Sequence, residues 1–175
     1  MPGTFHGACY HTGMKETENM EYEWSQENPI IIQEGRDILE SERFRRAWKT
    51  EHHMRTNIAR HSLAVTECAL HLFKQGHYPD TDIRDVVRAC LLHDIGMTDD
   101  IVYDSISFRK AYSHPRRSAG IAVKEYGANQ IQVDAILHHM WPICIVPPHT
   151  SVGWLLLRAD KICSRKDVLR YLRKK

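Results

Sequence analysis

The chain has 175 residues, of which 24 are Lys or Arg and 22 are Asp or Glu, and its formal net charge is +2 at pH 7. This length suits one domain with a substantial core and leaves little room for a second. Basic residues cluster only around Arg116 and Arg117 and at the C-terminal Arg173, Lys174 and Lys175, which argues against nucleic acid as a partner.

No apolar stretch approaches the roughly 20 residues that a membrane span needs, and the N-terminus lacks the basic-then-apolar pattern of a secretory signal. The five cysteines are an odd number and form no CxxC pair, which is typical of reduced thiols. We therefore expect a cytoplasmic protein without a membrane partner. The twelve histidines, several of them in apolar surroundings, indicate metal or acid-base chemistry.

Residues 1–26 show no sustained periodicity and are predicted to form a flexible leader, so the main domain is expected to span residues 27–175. From Pro29 onward, the apolar residues recur with a helical period. Residues 30–53 predict one or two helices, with Ser41 as the N-cap of the second. Residues 56–76 form the clearest helical pattern, which Gly76 closes.

Four further segments also show a helical pattern. Residues 80–94 predict a helix with aspartates at its start, and residues 113–127 predict one with Pro115 at the first helical position and Gly127 after its last turn. Residues 129–140 predict a helix that Pro142 stops, and residues 151–175 predict the last one. Alternating strand patterns of any length are absent, so the predicted fold class is all-α.

Several polar side chains interrupt the apolar faces of these helices. His61 shares a stripe with Val65, the adjacent pair His93 and Asp94 ends another, and His139 and Asp160 lie on the inward faces of two later helices. A buried carboxylate without a partner is costly, and a divalent cation would satisfy imidazoles and carboxylates together. Hydrogen-bonded core histidines and an aspartate that clamps two helices remain the alternative.

These residues resemble the signature of the HD-domain metal-dependent phosphohydrolases: a histidine, an adjacent His-Asp pair and a distant aspartate. The matching phrases are "ARHSLAV" with His61, "LLHDIG" with His93 and Asp94, and "LRADKICS" with Asp160, and the resemblance runs from about residue 50 to 170. It implies a single-domain helical bundle with a metal site in its centre.

The resemblance also implies a second metal position. Many family members have two further histidines, and "YSHPRRSAGIA" supplies His114 while "AILHHMWP" supplies His139. The adjacent His138 fits the family spacing less well and is expected to be structural or to lie behind the ligands. The implied cofactor is one or two divalent transition-metal ions, which are Fe, Mn, Zn, Ni or Co.

In the function that the resemblance implies, His61, His93, Asp94 and Asp160 hold one ion. His114 and His139 hold a second, and Asp94 is able to bridge the two. The expected reaction is attack by a metal-bound hydroxide on a phosphomonoester or phosphodiester, with Asp94 and His93 as the catalytic residues. The expected substrate is a nucleotide or another small phosphorylated metabolite.

The sequence gives weaker signals for residues that contact the substrate than for the metal ligands. "HHMRTNIARHS" resembles small stand-alone bacterial HD proteins, which commonly have a histidine where His53 stands. Many HD phosphohydrolases have a phosphate-binding lysine where Met97 stands, so Arg116, Arg117 and Lys161 are the remaining candidates. "MWPICIVPP" replaces the longer motif of HD-GYP enzymes after His139, which disfavours hydrolysis of cyclic di-GMP.

Two other functions remain open at the level of sequence. The ligand set also resembles that of HD-type di-iron oxygenases, because iron accepts imidazole and carboxylate ligands. A non-catalytic nucleotide-binding signalling module is the second alternative, although six ligand positions argue against a degenerate site. A homodimer is left open.

Overall fold

A computed structural model describes residues 28–50, 56–76, 78, 81–98 and 108–173. The predicted leader at residues 1–26 and the candidate residue His53 lie outside the described residues. The described part is all helical, which confirms the predicted fold class. Its elements in chain order are α1 (Pro29–Leu39), α2 (Glu42–Lys49), α3 (Ile58–Lys74), α4 (Ile83–Leu92), a 3-10 helix (Ile95–Thr98), α5 (Phe108–Tyr126), α6 (Gln130–His138) and α7 (Ser151–Leu172).

Helix ends agree with local capping rules. Ser41 is the N-cap of α2, and its hydroxyl accepts a hydrogen bond from Phe44 N at 3.1 Å. Gly76 and Gly127 follow α3 and α5 with φ values of 72° and 63°, a conformation that glycine adopts without steric cost. These three sequence predictions are therefore confirmed.

The predicted start of α5 is wrong. Pro115 does not stand at the first helical position, because the helix begins at Phe108 and the proline lies inside it. Proline has no backbone N–H, and its ring crowds the carbonyl four residues earlier, so an internal proline removes one helical hydrogen bond but need not end the helix. The preference of proline for the first helical position reflects the fact that no hydrogen bond is lost there. This preference does not prevent a helix from starting several residues before a proline.

Helix α4 is the centre of the fold. Every residue from 85 to 92 is buried, and the helix packs against α1, α3, α6 and α7. Leu91 and Leu92 belong to a first hydrophobic cluster with Ile38 and Phe44, whereas Ala89 and Cys90 belong to a second cluster formed with α3, α6 and α7. The residues that directly follow α4 therefore lie in the interior, between the two clusters.

None of the helices in the described ranges combines the length and the apolar character needed to span a membrane. The four cysteines of the described part, Cys68, Cys90, Cys144 and Cys163, form no disulfide.

Candidate metal centre

Six side chains predicted from the sequence meet in the interior, although they come from different elements. His61 lies in α3, His114 in α5 and Asp160 in α7, while His93 and His139 are the C-caps of α4 and α6. Asp94 follows His93 in the turn before the 3-10 helix. The four histidines and Asp94 are at most 6% exposed, and the side chain of Asp160 is 14% exposed.

The four imidazole rings form a continuous row. Ring centroids are 5.4 Å apart between His61 and His93, 5.0 Å between His93 and His139, and 5.0 Å between His139 and His114. At one end of the row, Nε2 of His114 and Nε2 of His139 are 3.0 Å apart. Ring nitrogens of residues far apart in sequence therefore converge on one small volume.

Asp94 lies beside the middle of this row and faces both halves. Its Oδ2 is 3.2 Å from Nε2 of His93. Its Oδ1 is 3.2 Å from Nε2 of His114 and 3.6 Å from Nε2 of His139. One carboxylate therefore serves two groups of histidines, as expected of a residue that could bridge two ions.

Backbone contacts select the tautomers of His93 and His139. Nδ1 of His93 donates to the carbonyl of Cys90 at 2.8 Å, and Nδ1 of His139 donates to the carbonyl of Ile136 at 2.7 Å. A carbonyl only accepts, so a neutral ring in this position carries its lone pair on Nε2. In both residues Nε2 is the nitrogen that faces Asp94.

His61 and two carboxylates of α7 form the other end of the centre. Nε2 of His61 is 3.0 Å from Oδ1 of Asp160, and its Nδ1 is 3.6 Å from Oδ2 of Asp167. Burial lowers the pKa of His61, but the hydrogen bonds to these two carboxylates outweigh it and raise that pKa to about 10. Burial raises the pKa of Asp160, and the hydrogen bond from His61 reverses this and lowers it to about 2.

Burial and charge also act on the two middle histidines. Burial lowers the pKa of His93, but the negative charge of Asp94 more than compensates, so the pKa lies above its usual value. Burial dominates at His139 and keeps its pKa below the usual value, which favours a neutral imidazole.

The donor set fits a divalent transition metal. Two groups have candidate ligand atoms within 4.8 Å of one another: His61 with His93 and Asp94, and Asp94 with His114 and His139. Nε2 of His93 is buried and lies 3.2 Å from Oδ2 of Asp94. In a neutral ring that donates from Nδ1, both of these atoms are acceptors, and a bound cation would satisfy them together. Neutral imidazole and carboxylate are suitable ligands for borderline metals.

Close packing behind the motif holds His93 and Asp94 in place. A Cβ on Gly96 would lie 2.6 Å from the backbone nitrogen of Ser118 in α5. The Ser118 hydroxyl accepts a hydrogen bond from Gly96 N at 3.0 Å. Glycine therefore allows the turn after Asp94 to pack directly against the helix that carries His114.

The predicted substrate residues are not grouped together. Arg116 and Lys161 are exposed, whereas Arg117 is half-buried and its Nε and Nη1 atoms are buried. Arg117 follows His114 by three residues in α5, so the two side chains leave the helix on nearly the same side. Among these three cations, Arg117 is therefore the one that is partly buried and lies on the same side of α5 as His114.

Three residues that the fold pairs with these histidines and acids were not identified from the sequence. Asp167 follows Asp160 by two helical turns, and that spacing was an available signal. Asp134 contacts His138 at 2.9 Å, and this i,i+4 pair was also visible, but the contact between Asp134 and His149 requires the folded chain. His138 faces Asp134, whereas His139 joins His114 and Asp94, so the fold separates the two adjacent histidines.

Comparison with known protein families adds one finding. The family model described as HD domain matches residues 58–166, which contain all six predicted ligands. Searches of curated proteins and of solved structures found no match.

Proposed function

The chain belongs to the HD-domain family, a family made up largely of metal-dependent phosphohydrolases, and on this premise we propose that it hydrolyses a phosphomonoester or phosphodiester. The proposed substrate is a nucleotide or another small phosphorylated metabolite. The observation that carries the proposal is the pair of metal-compatible groups that share Asp94.

In the proposed centre, His61, His93, Asp94 and Asp160 would hold one divalent ion. His114 and His139 would hold a second ion together with Asp94. When bound, such ions supply Lewis acidity, which promotes the ionisation of water and offsets negative charge on a phosphoryl group. The identity of the ion is proposed only as Fe, Mn, Zn, Ni or Co, because all five accept this donor set.

The chain's own residues position the reacting groups. Asp94 orients the two halves of the centre because its two oxygens face different histidines. The carbonyls of Cys90 and Ile136 hold the rings of His93 and His139 with Nε2 inward, a contact that typically raises ligand basicity. The apolar surroundings keep bulk water away from these rings and strengthen electrostatic interactions within the site.

Arg117 is proposed as the phosphate contact, supported by its position one turn after His114 and its partial burial. A guanidinium binds phosphate oxygens with two parallel N–H groups, so it can replace the lysine that many relatives have at the position of Met97. Arg116, Lys161 and His53 remain candidate contacts with substrate groups farther from the phosphorus atom.

The test begins with metal analysis of the purified chain. The metal-free chain is then reloaded separately with each of the five metals. Each form is assayed for phosphate release from nucleotides, and for nitrophenol release from p-nitrophenyl phosphate and bis-p-nitrophenyl phosphate. Metal-dependent release, abolished by a chelator and restored by metal, is the expected result.

Two outcomes would refute hydrolysis. Oxygen consumption by the iron form with organophosphonates or polyols, without phosphate release from any phosphoester, would assign the oxygenase function. Tight nucleotide binding without turnover under every metal would assign the signalling function.

A further inference from the structure

A second cluster of metal-compatible side chains lies outside the central row. It consists of Asp134 and His138 in α6 and of His149, which precedes α7 by two residues. Their candidate ligand atoms all lie within 4.8 Å of one another. The side chain of His149 is 65% exposed, whereas those of Asp134 and His138 are 13% and 17% exposed, so the cluster opens to solvent on one side.

The two oxygens of Asp134 have separate roles. Oδ2 accepts hydrogen bonds from the backbone N–H groups of His149 and Thr150 and from the Thr150 hydroxyl, at 3.0, 3.1 and 2.9 Å. These contacts anchor the carboxylate at the start of α7 and fix its orientation. Oδ1 faces two imidazoles, with Nδ1 of His138 at 2.9 Å and Nδ1 of His149 at 2.8 Å.

We propose that Asp134 Oδ1, His138 Nδ1 and His149 Nδ1 bind a divalent transition metal at the surface, separate from the ions of the central site. Two imidazole nitrogens and one carboxylate oxygen suit a borderline cation such as Zn²⁺. Ligand atoms around tetrahedral zinc are about 3.3 Å apart, so the observed N···O separations need to widen by only about 0.5 Å.

Binding requires no net loss of protons from neutral rings. Each Nδ1 that now donates to Asp134 transfers its proton to solvent, and Nε2 of the same ring takes one up, which leaves the Nδ1 lone pair for the metal. The ring of His149 faces solvent, so a water molecule can complete the coordination.

The site would join two helices across an irregular segment. Residues 139–150 connect α6 to α7 through turns and bends, not a continuous helix, and include Pro142, Pro147 and Pro148. A metal on His138 and His149 would hold the two ends of this segment together. Because His139 is the adjacent residue, the same clamp would steady the end of α6 that carries a central histidine.

The test compares His149→Gln with the control His71→Gln, which removes an exposed histidine from α3. Glutamine is similar in length to histidine and has an amide that can donate a hydrogen bond, but it is a poor zinc ligand. Loss of zinc from a folded His149→Gln protein would therefore report the missing imidazole ligand. Metal-stripped proteins are dialysed against buffered Zn²⁺, and bound zinc is counted. We expect His149→Gln to bind one zinc fewer than wild type, and His71→Gln to match wild type.

Thermal unfolding supplies a second readout. At zinc concentrations about 100-fold above the dissociation constant of this site, the melting temperature of His71→Gln should rise about 8 °C more than that of His149→Gln. Equal zinc counts and equal shifts in the two variants would overturn the proposal.

Anomalous diffraction from wild-type crystals soaked in Zn²⁺ decides the question even if His149→Gln fails to fold. A peak bounded by Asp134, His138 and His149 supports the site, and its absence at full occupancy of the central ligands overturns it. None of these readouts depends on turnover. Loss of one zinc in His149→Gln would therefore support the surface site even if the chain hydrolysed no phosphoester under any of the five metals.

Discussion

Substituting Asp94 by asparagine tests the central site most directly. Asparagine keeps the size of the side chain but removes the negative charge that lies 3.2 Å from both His93 Nε2 and His114 Nε2. The group of His61 and His93 retains a carboxylate, because Asp160 is 3.0 Å from His61. The group of His114 and His139 loses the only carboxylate assigned to it among the described residues.

The two metal positions should therefore respond unequally. We expect Asp94→Asn to lose the ion at His114 and His139 and to bind the other ion more weakly. Loss of one group that stabilises transition-state charge typically lowers kcat about 10² to 10³-fold, and Asp94 serves both positions. We therefore expect kcat/KM to fall at least about 10³-fold, which corresponds to about 4 kcal/mol of transition-state stabilisation.

The assay measures bound metal and phosphoester turnover on the same preparation, with circular dichroism to verify helix content. Asp82→Asn is the matched control, because Asp82 caps the start of the same helix and asparagine caps equally well. Turnover within tenfold of wild type in Asp94→Asn, with full metal content, would refute the shared-ligand reasoning. An equal loss in Asp82→Asn would assign the effect to the helix instead.

Three further predictions concern the scaffold. Arg88 is 4% exposed and donates to both Asp37 oxygens at 2.7 and 2.9 Å and to the Tyr126 carbonyl at 2.8 Å. The Asp37 side chain is 55% exposed and regains water when Arg88 is removed, so Arg88→Met should lower the free energy of unfolding by about 2 kcal/mol. Urea titration measures this loss, and a loss below about 1 kcal/mol would contradict it. The Arg88 hydrogen bond holds the pKa of Asp37 below 3.8, so the stability advantage of wild type over Asp37→Asn should be present above pH 3.8 and lost as the pH falls through the folded pKa. Urea titrations at pH 6 and pH 3 measure it, and an advantage that grows on acidification would be inconsistent with this linkage. Gly96→Ala places a Cβ 2.6 Å from the Ser118 backbone nitrogen, so it should cost about 2 kcal/mol and weaken metal binding; an unchanged melting temperature and metal affinity would show that the turn moves freely.

Helical periodicity and capping residues were sufficient to predict the all-helical class and most helix ends, and the resemblance to the HD signature supplied the six side chains that meet in the interior. Helical periodicity and capping depend on residues a few positions apart, so Ser41, Gly76 and Gly127 could be assigned locally. His93 and Asp94 were visible because two polar residues follow an apolar stripe.

The contacts between these side chains depend on how the helices pack in three dimensions. His61 and Asp160 are 99 residues apart in sequence and 3.0 Å apart in space, a contact that no local pattern encodes. The same holds for the separation of His138 from His139 and for the pairing of Asp134 with His149. The orientation of a side chain at a helix end depends on which neighbouring helices pack there. That packing depends on residues that are far apart in the sequence.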